Sequence, residues 1–189
     1  DRLHADTLGG DLRLRSAGDI RFVDRSTASG PDTATARIAA ASITGADLLA
    51  DELLIDADRL SGPRLATRDA AMDLTVDGLL DIDTLDAGAT ATIDAGAAEI
   101  DTTTAAGALD VVTTTRAGVD GHQRFGTVTV QAPATFAADG AFEAGRVETT
   151  AGGVDIDAAS ARLTDADAAT TLSVTTSGGQ DHENLHADG

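Results

Sequence analysis

Apolar and polar residues alternate in short bursts along the whole chain. Leu12-Arg13-Leu14, Asp19-Ile20-Arg21-Phe22, Met72-Asp73-Leu74-Thr75-Val76, Leu80-Asp81-Ile82-Asp83, Thr92-Ile93-Asp94, Glu99-Ile100-Asp101 and Val154-Asp155-Ile156-Asp157 all follow this rule. An alternation of period two, rich in Val, Ile, Leu and Thr, is the pattern of strands with one buried face. Gly, Asp and Ala fill the gaps, as at 16–19, 86–89, 104–107, 137–140 and 150–153. These residues suit turns, Gly because it accepts positive φ.

The bursts are also periodic. Ile55, Leu74, Ile93 and Val112 lie 19 residues apart, and Val130 follows 18 later. Leu60 and Leu79 are 19 apart, whereas Ile82 and Ile100, like Ile156 and Val174, are 18 apart. Upstream the spacing loosens, with Ile38 17 residues before Ile55. A repeat of this length holding two or three short strands is one turn of a β-solenoid. Stacked coils set each apolar side chain over its counterpart. The expected fold is therefore all-β, a parallel β-helix with coils of about 19 residues, forming one unit over 1–189. At about 4.8 Å per coil, nine or so coils make a rod of roughly 40–45 Å.

Two segments strain this pattern. Residues 33–60 are Ala-rich, and Leu49, Leu53 and Leu60 would share one helical face. Leu48, Leu54 and Ile55 spread around that cylinder, however, and Thr33, Thr35 and Thr44 disfavour helix, so strand is the preferred reading. Residues 26–35 are the most loop-like and are expected to form an insertion. The tetrad Leu3-His4-Ala5-Asp6 recurs as Leu185-His186-Ala187-Asp188, which reads as a second coil start of the same kind. No basic stretch followed by an apolar one opens the chain, so an internal fragment of a larger protein is expected.

Composition narrows the possibilities. The four Phe are the only aromatic residues, a scarcity that suits a thin stacked core better than a sphere. The net charge is −19, all basic residues are Arg, and Asp far outnumbers Glu. A field of this sign repels phosphate backbones, so nucleic acid is not an expected partner. No apolar run is long enough to insert into a membrane as a helix. Without Cys there is neither a disulfide framework nor a thiolate metal site.

Residues 2–22, with Leu12-Arg13-Leu14 and Ala17-Gly18-Asp19-Ile20, and residues 183–189 resemble the repeats of filamentous-haemagglutinin-like exoproteins of two-partner secretion. The resemblance implies a right-handed parallel β-helix that acts as the stalk of an adhesin or contact-dependent toxin. It further implies a secreted or bacterial cell-surface location. The implied partners are a host or neighbouring-cell surface, reached through protein or glycan, and an outer-membrane secretion partner. The chain departs from the family in having a single Asn, Asn184. Thr, Asp and Ala must then serve the turns in place of buried Asn ladders.

One motif suggests catalysis. His182-Glu183-Asn184-Leu185-His186 spells H-E-x-x-H, which on a helix would bind zinc through both His with Glu183 as base. A polar, Gly-rich stretch precedes it where an apolar helix is needed, and His186 matches His4 in a segment lacking the motif. Asp81 with Asp83, and Asp155 with Asp157, pair on outward strand faces, where calcium is the functional reading and a solvated face the plainer one. His122, in Gly121-His122-Gln123-Arg124, reads as a loop residue. We therefore expect no catalytic, cofactor or metal residue, and a structural stalk or adhesive role without enzyme activity. The alternatives are a metal-dependent hydrolase fragment using His182, Glu183 and His186, or a polysaccharide-acting β-helix.

Overall fold

The computed structural model describes residues 2–3, 8–9, 11–22, 26–29, 35–116 and 118–188. Its strands are β1 (Arg2–Leu3), β2 (Leu8–Gly9), β3 (Leu12–Arg15), β4 (Asp19–Phe22), β5 (Ser26–Ser29), β6 (Thr35–Thr44), β7 (Asp47–Ala50) and β8 (Glu52–Thr67). They continue as β9 (Met72–Ala87), β10 (Ala91–Ala105), β11 (Leu109–Thr113), β12 (Gln123–Val130), β13 (Ala134–Thr149), β14 (Val154–Ala168), β15 (Leu172–Thr176) and β16 (Gln180–Ala187). No helix occurs among them, and every strand pairing is parallel. Parallel neighbours along a continuous chain require a crossover each time, and here the crossover is the rest of the coil. The result is a β-solenoid of about eight turns.

Each full coil has three sides, and each side contributes an inward column. On the first side Ile38, Ile55, Leu74, Ile93, Val111, Phe136, Ile156 and Val174 stack in register. On the second side the column runs Ile43, Leu60, Leu80, Ala98, Gln123, Phe142, Ala161, Gln180. On the third it runs Leu48, Leu65, Leu85, Thr103, Val128, Val147, Ala166, Leu185. The long strands β8, β10 and β13 turn the corner between the first and second sides at register shifts near Ala57, Ala95 and Ala138. Where the backbone bends, one residue leaves the ladder and the alternation restarts.

The core is narrow, and its bulk comes late in the chain. Phe125, Phe136 and Phe142 meet at ring-centroid distances of 5.0–6.0 Å. Elsewhere, apart from Phe22 and Met72, Leu, Ile, Val and many Ala suffice. The turns from the third side back to the first use Thr, as the lack of Asn requires. Thr67 Oγ1 donates to the Ala70 carbonyl at 2.9 Å and accepts from the Gly88 amide. Thr149 repeats this with the Gly152 carbonyl and the Ala169 amide.

Several expectations need correction. Ile93 stacks on Val111, with Val112 turned outward against Asp94, so that coil is 18 residues long. Val130 lies on the third side, above Ala105, and Leu60 stacks on Leu80, with Leu79 facing away. The strand reading of the Ala-rich segment, in contrast, holds: residues 35–44, 47–50 and 52–60 are strand, because alternate burial of Ala36, Ile38, Ala40 and Ile43, then Leu53, Ile55, Ala57 and Leu60, fits a pleat and not a helix. In the segment expected as a loop insertion, Ser26–Ser29 is strand β5, paired with β7, and Thr35 opens β6, while residues 30–34 lie outside the described residues. The tetrad repeat does not mark equivalent positions. Leu3 is in register with Phe22 on the second side, whereas Leu185 is in register with Ala166 on the third. His4, Ala5 and Asp6 lie outside the described residues.

The register makes a direct stability test. Val111→Asp places an unpaired charge in the column and is expected to unfold the coil. Val112→Asp, outward but across the ladder from Asp94, is expected to cost no more than about 1 kcal/mol. Phe136→Ala is expected to cost about 3–5 kcal/mol in urea unfolding. Equal effects at positions 111 and 112 would refute the register.

Candidate functional site

Insertions in repeat proteins gather on one face, often the binding face. This rod has one such excursion among the described residues. From Val111 to Gln123 the chain takes 12 steps to pass from the first side to the second, against five from Ile93 to Ala98. The extra residues, 114–116 and 118–122 of those described, form a strap that folds back over the preceding corners.

Contacts to several coils hold the strap. Arg116 reaches Asp94 at 2.7 Å and Asp77 at 3.9 Å, and donates to the Val76 carbonyl. Arg116 and Val119 form an antiparallel bridge closed through Gly118, whose φ of 84° a residue with Cβ would resist. Val119 then seats on Gly96, where any Cβ would come within 2.6 Å of its Cγ2. On the other side the Thr115 amide donates to Asp139 at 2.9 Å.

The strap's foot re-enters the core at Gln123, which is fully buried between Ala98 and Phe142. Its amide donates to the Val111 and Ala137 carbonyls at 3.1 and 2.8 Å, and Thr113 Oγ1 donates to the Gly121 carbonyl. These groups replace ladder bonds lost where the strap leaves the coil. Beside Gln123, the His122 ring lies between Asp120 at 2.5 Å and Glu99 at 3.0 Å. Burial opposes its charge, but hydrogen bonds donated to Asp120 and Glu99, with the two carboxylate charges, outweigh burial and hold its pKa above the usual 6.5. The same hydrogen bond, against burial, holds Asp120 below its usual 3.8.

The strap borders a furrow along the second side of the rod. A cleft of 410 Å³ between Ser42, Arg59, Ser61 and Asp81 ends against Val119. Asp81 is shared with the next cleft, of 250 Å³, lined by Asp83, Glu99, Asp101 and Arg124. Glu143 and Arg162 line two more, of 240 and 230 Å³, the first shared with Arg124 and the second with Asp181. The outward column here alternates in sign, Glu99, Arg124, Glu143, Arg162, Asp181, in direct ladder register. Opposite charges one coil apart favour the stack. Asp81 lies at the acidic end, where burial first, and then Glu99, Asp83 and Asp101, raise its pKa.

The other candidate residues fall elsewhere. His182, Glu183 and His186 all lie in strand β16 at the surface. His182 is in register with inward Leu163, and His186 with Asp167 beyond the corner, where its ring meets Asp188 at 2.8 Å. Four strand residues span about 13 Å, so the strand separates the two rings that a helix would bring together over one ion. Asp155 and Asp157 flank inward Ile156 and face solvent on the first side, as Asp81 and Asp83 flank Ile82 on the second. Among the described residues no group of three or more His, Cys, Asp or Glu side chains is arranged to hold a metal ion. Sequence reading missed Gln123 and Arg116, and the one available signal was the break in spacing after Val112. No family model, no curated protein and no solved structure matches the chain.

Two outcomes follow for the strap. His122 binds its proton more tightly in the folded chain, so its contribution should be complete below about pH 6.5 and fade as pH rises through the higher folded value. Asp120's share should be present above about pH 3.8 and fade as pH falls through its depressed value. Hydrogen-exchange protection of residues 114–122, corrected for intrinsic rates, checks this, and equal protection at about pH 5 and about pH 9 would overturn it. Gln123→Leu, which strands two buried carbonyls, is expected to cost about 1–3 kcal/mol in urea unfolding.

Proposed function

We propose that this chain is a rod segment of a large secreted or cell-surface bacterial exoprotein, serving as stalk and adhesive surface with no catalytic step of its own. One observation carries the reading: the inward columns run unbroken through the coils, so the chain is built to extend and display. Each coil packs on its neighbours, and length can change by whole coils without a new core. The acidic exterior keeps such a β-rich surface in solution. The resemblance of residues 2–22 to filamentous-haemagglutinin-like repeats agrees with this role. The partners are then a host or neighbouring-cell surface, met through protein or glycan, and an outer-membrane secretion partner.

The competing hydrolase reading requires His182 and His186 to act on one ion, and a strand is the wrong support for that. Deleting one coil, residues 154–171, joins Gly153 to Leu172, which stands in ladder register with Val154 and takes its place. The shortened chain is expected to keep a cooperative β-sheet spectrum and to shorten by about 4.8 Å. Beads carrying either chain are expected to attach to cultured epithelial or bacterial cells above the level of uncoated beads. Stoichiometric zinc together with a peptidase activity abolished by Glu183→Ala would overturn the proposal, as would no attachment by the full chain.

A further inference from the structure

The first side of the rod carries charge of opposite sign at its two ends. Two outward columns run along it. One begins at Arg13 and Arg37 and continues through Leu54, Asp73, Thr92, Asp110 and Thr135 to Asp155. The other begins at Arg15 and continues through Ala39, Asp56, Thr75, Asp94, Val112 and Ala137 to Asp157. Arg13 stands next to Arg37 in the ladder, a like-charge juxtaposition that destabilises the rod by itself. Arg13 and Arg37 each have one carboxylate within ion-pair range, Asp11 at 3.6 Å and Glu52 at 4.0 Å, and exposed Arg15 makes no ion pair among the described residues. Arg13, Arg15 and Arg37 rim a trough of 540 Å³ floored by Leu54. Val112, 36% exposed, projects from the opposite half of the same face.

We propose that this face pairs two copies of the chain side by side, antiparallel, about a twofold axis between the coils of Leu74 and Ile93. Such an axis makes the interface self-complementary. Arg13 of one rod then faces Asp155 of the other, and Arg15 faces Asp157. Asp73 faces Thr92, and Thr75 faces Asp94, which Arg116 already neutralises. Asp110 meets Leu54, and Val112 enters the trough beside Asp56 and Leu54. No two like charges oppose each other. Moving the axis onto the Ile93 coil would set Asp73 against Asp110 and Asp94 against its own copy. Moving it onto the Leu74 coil would set Asp56 against Asp94. Charge therefore selects one register.

The contact spans about eight coils of 4.8 Å by four residues of 3.3 Å, roughly 500 Å² per rod. That is the size of a weak, reversible association. The chain is expected to show a monomer–dimer equilibrium by sedimentation at about 0.15 M salt and concentrations up to about 1 mM. Arg13→Glu with Arg15→Glu, or Asp155→Arg with Asp157→Arg, should each weaken self-association at least about tenfold. Mixing the two variants should restore pairing as a heterodimer, because both contacts regain opposite charges. Val112→Glu, an outward change that leaves the core intact, should weaken the parent dimer by a similar factor. A parent that stays monomeric throughout would overturn the proposal. So would folded charge variants that fail to pair when mixed, or a Val112→Glu chain that pairs like the parent.

Discussion

The structure depends on residue-over-residue stacking in a parallel ladder. Each coil is hydrogen-bonded to the one before it, so every inward residue must share its column with a neighbour of compatible volume. Ile55, Leu74 and Ile93 satisfy this with similar side chains. Where one coil brings a larger residue, its neighbours on other sides adjust. Phe125 stacks on Ala144 and Phe142 on Ala161, and with Phe136 the three rings gather beside these small residues. A compact globule lets distant segments compensate for a misfit. Here nearly all compensation must come from the coil above or below.

The same constraint explains the glycines and the strap. Corners between sides bring successive backbones close together. Gly96 accepts Asp77 and Gly78 carbonyls and the Val119 methyl within the space a Cβ would need. The strap can therefore lie across two corners at once and be pinned by Asp77, Asp94, Glu99 and Asp139 on three different strands. Its departure breaks the ladder for one corner, and a fully buried Gln repairs the break from inside. A polar residue in a column of Leu, Ala and Phe is costly unless it supplies missing hydrogen bonds, and Gln123 supplies two.

Much of this order can be read from the chain because ladder register turns spatial repetition into sequence repetition. Ile38, Ile55, Leu74 and Ile93 sit in one column and are spaced as one coil requires. The reading slips where two apolar residues are adjacent. Val111 and Val112, like Leu79 and Leu80, offer two registers, and only the pleat decides which member turns inward. Spacing alone favoured the wrong one in both pairs. The candidate site was less legible for a different reason. His182 and His186 carried a motif whose meaning depends on helix, and β-strand removes it. The strap, in contrast, has no motif, and its contacts join residues 20 to 40 positions apart that only the coil geometry brings together.

A solenoid's exterior is freed from packing, so charge placement there answers to other demands. Thr and Asp dominate the outward columns of the first side, and both suit a solvated strand face that resists sticking. Such a face alone would explain Asp73, Asp110 and Asp155, each separated by Thr from the next carboxylate. It does not explain why Arg13, Arg15 and Arg37 cluster at one end while Asp155 and Asp157 occupy the other. Interspersing the signs would serve solubility equally and would avoid stacking Arg13 on Arg37. On the second side the signs alternate from Glu99 to Asp181, and along that stretch the ladder is satisfied within one rod, with Asp81 on Glu99 the one like-charged step before it. The contrast between two faces of one molecule, built from the same coils, is what distinguishes charge arranged for the rod's own stack from charge left over for a neighbour.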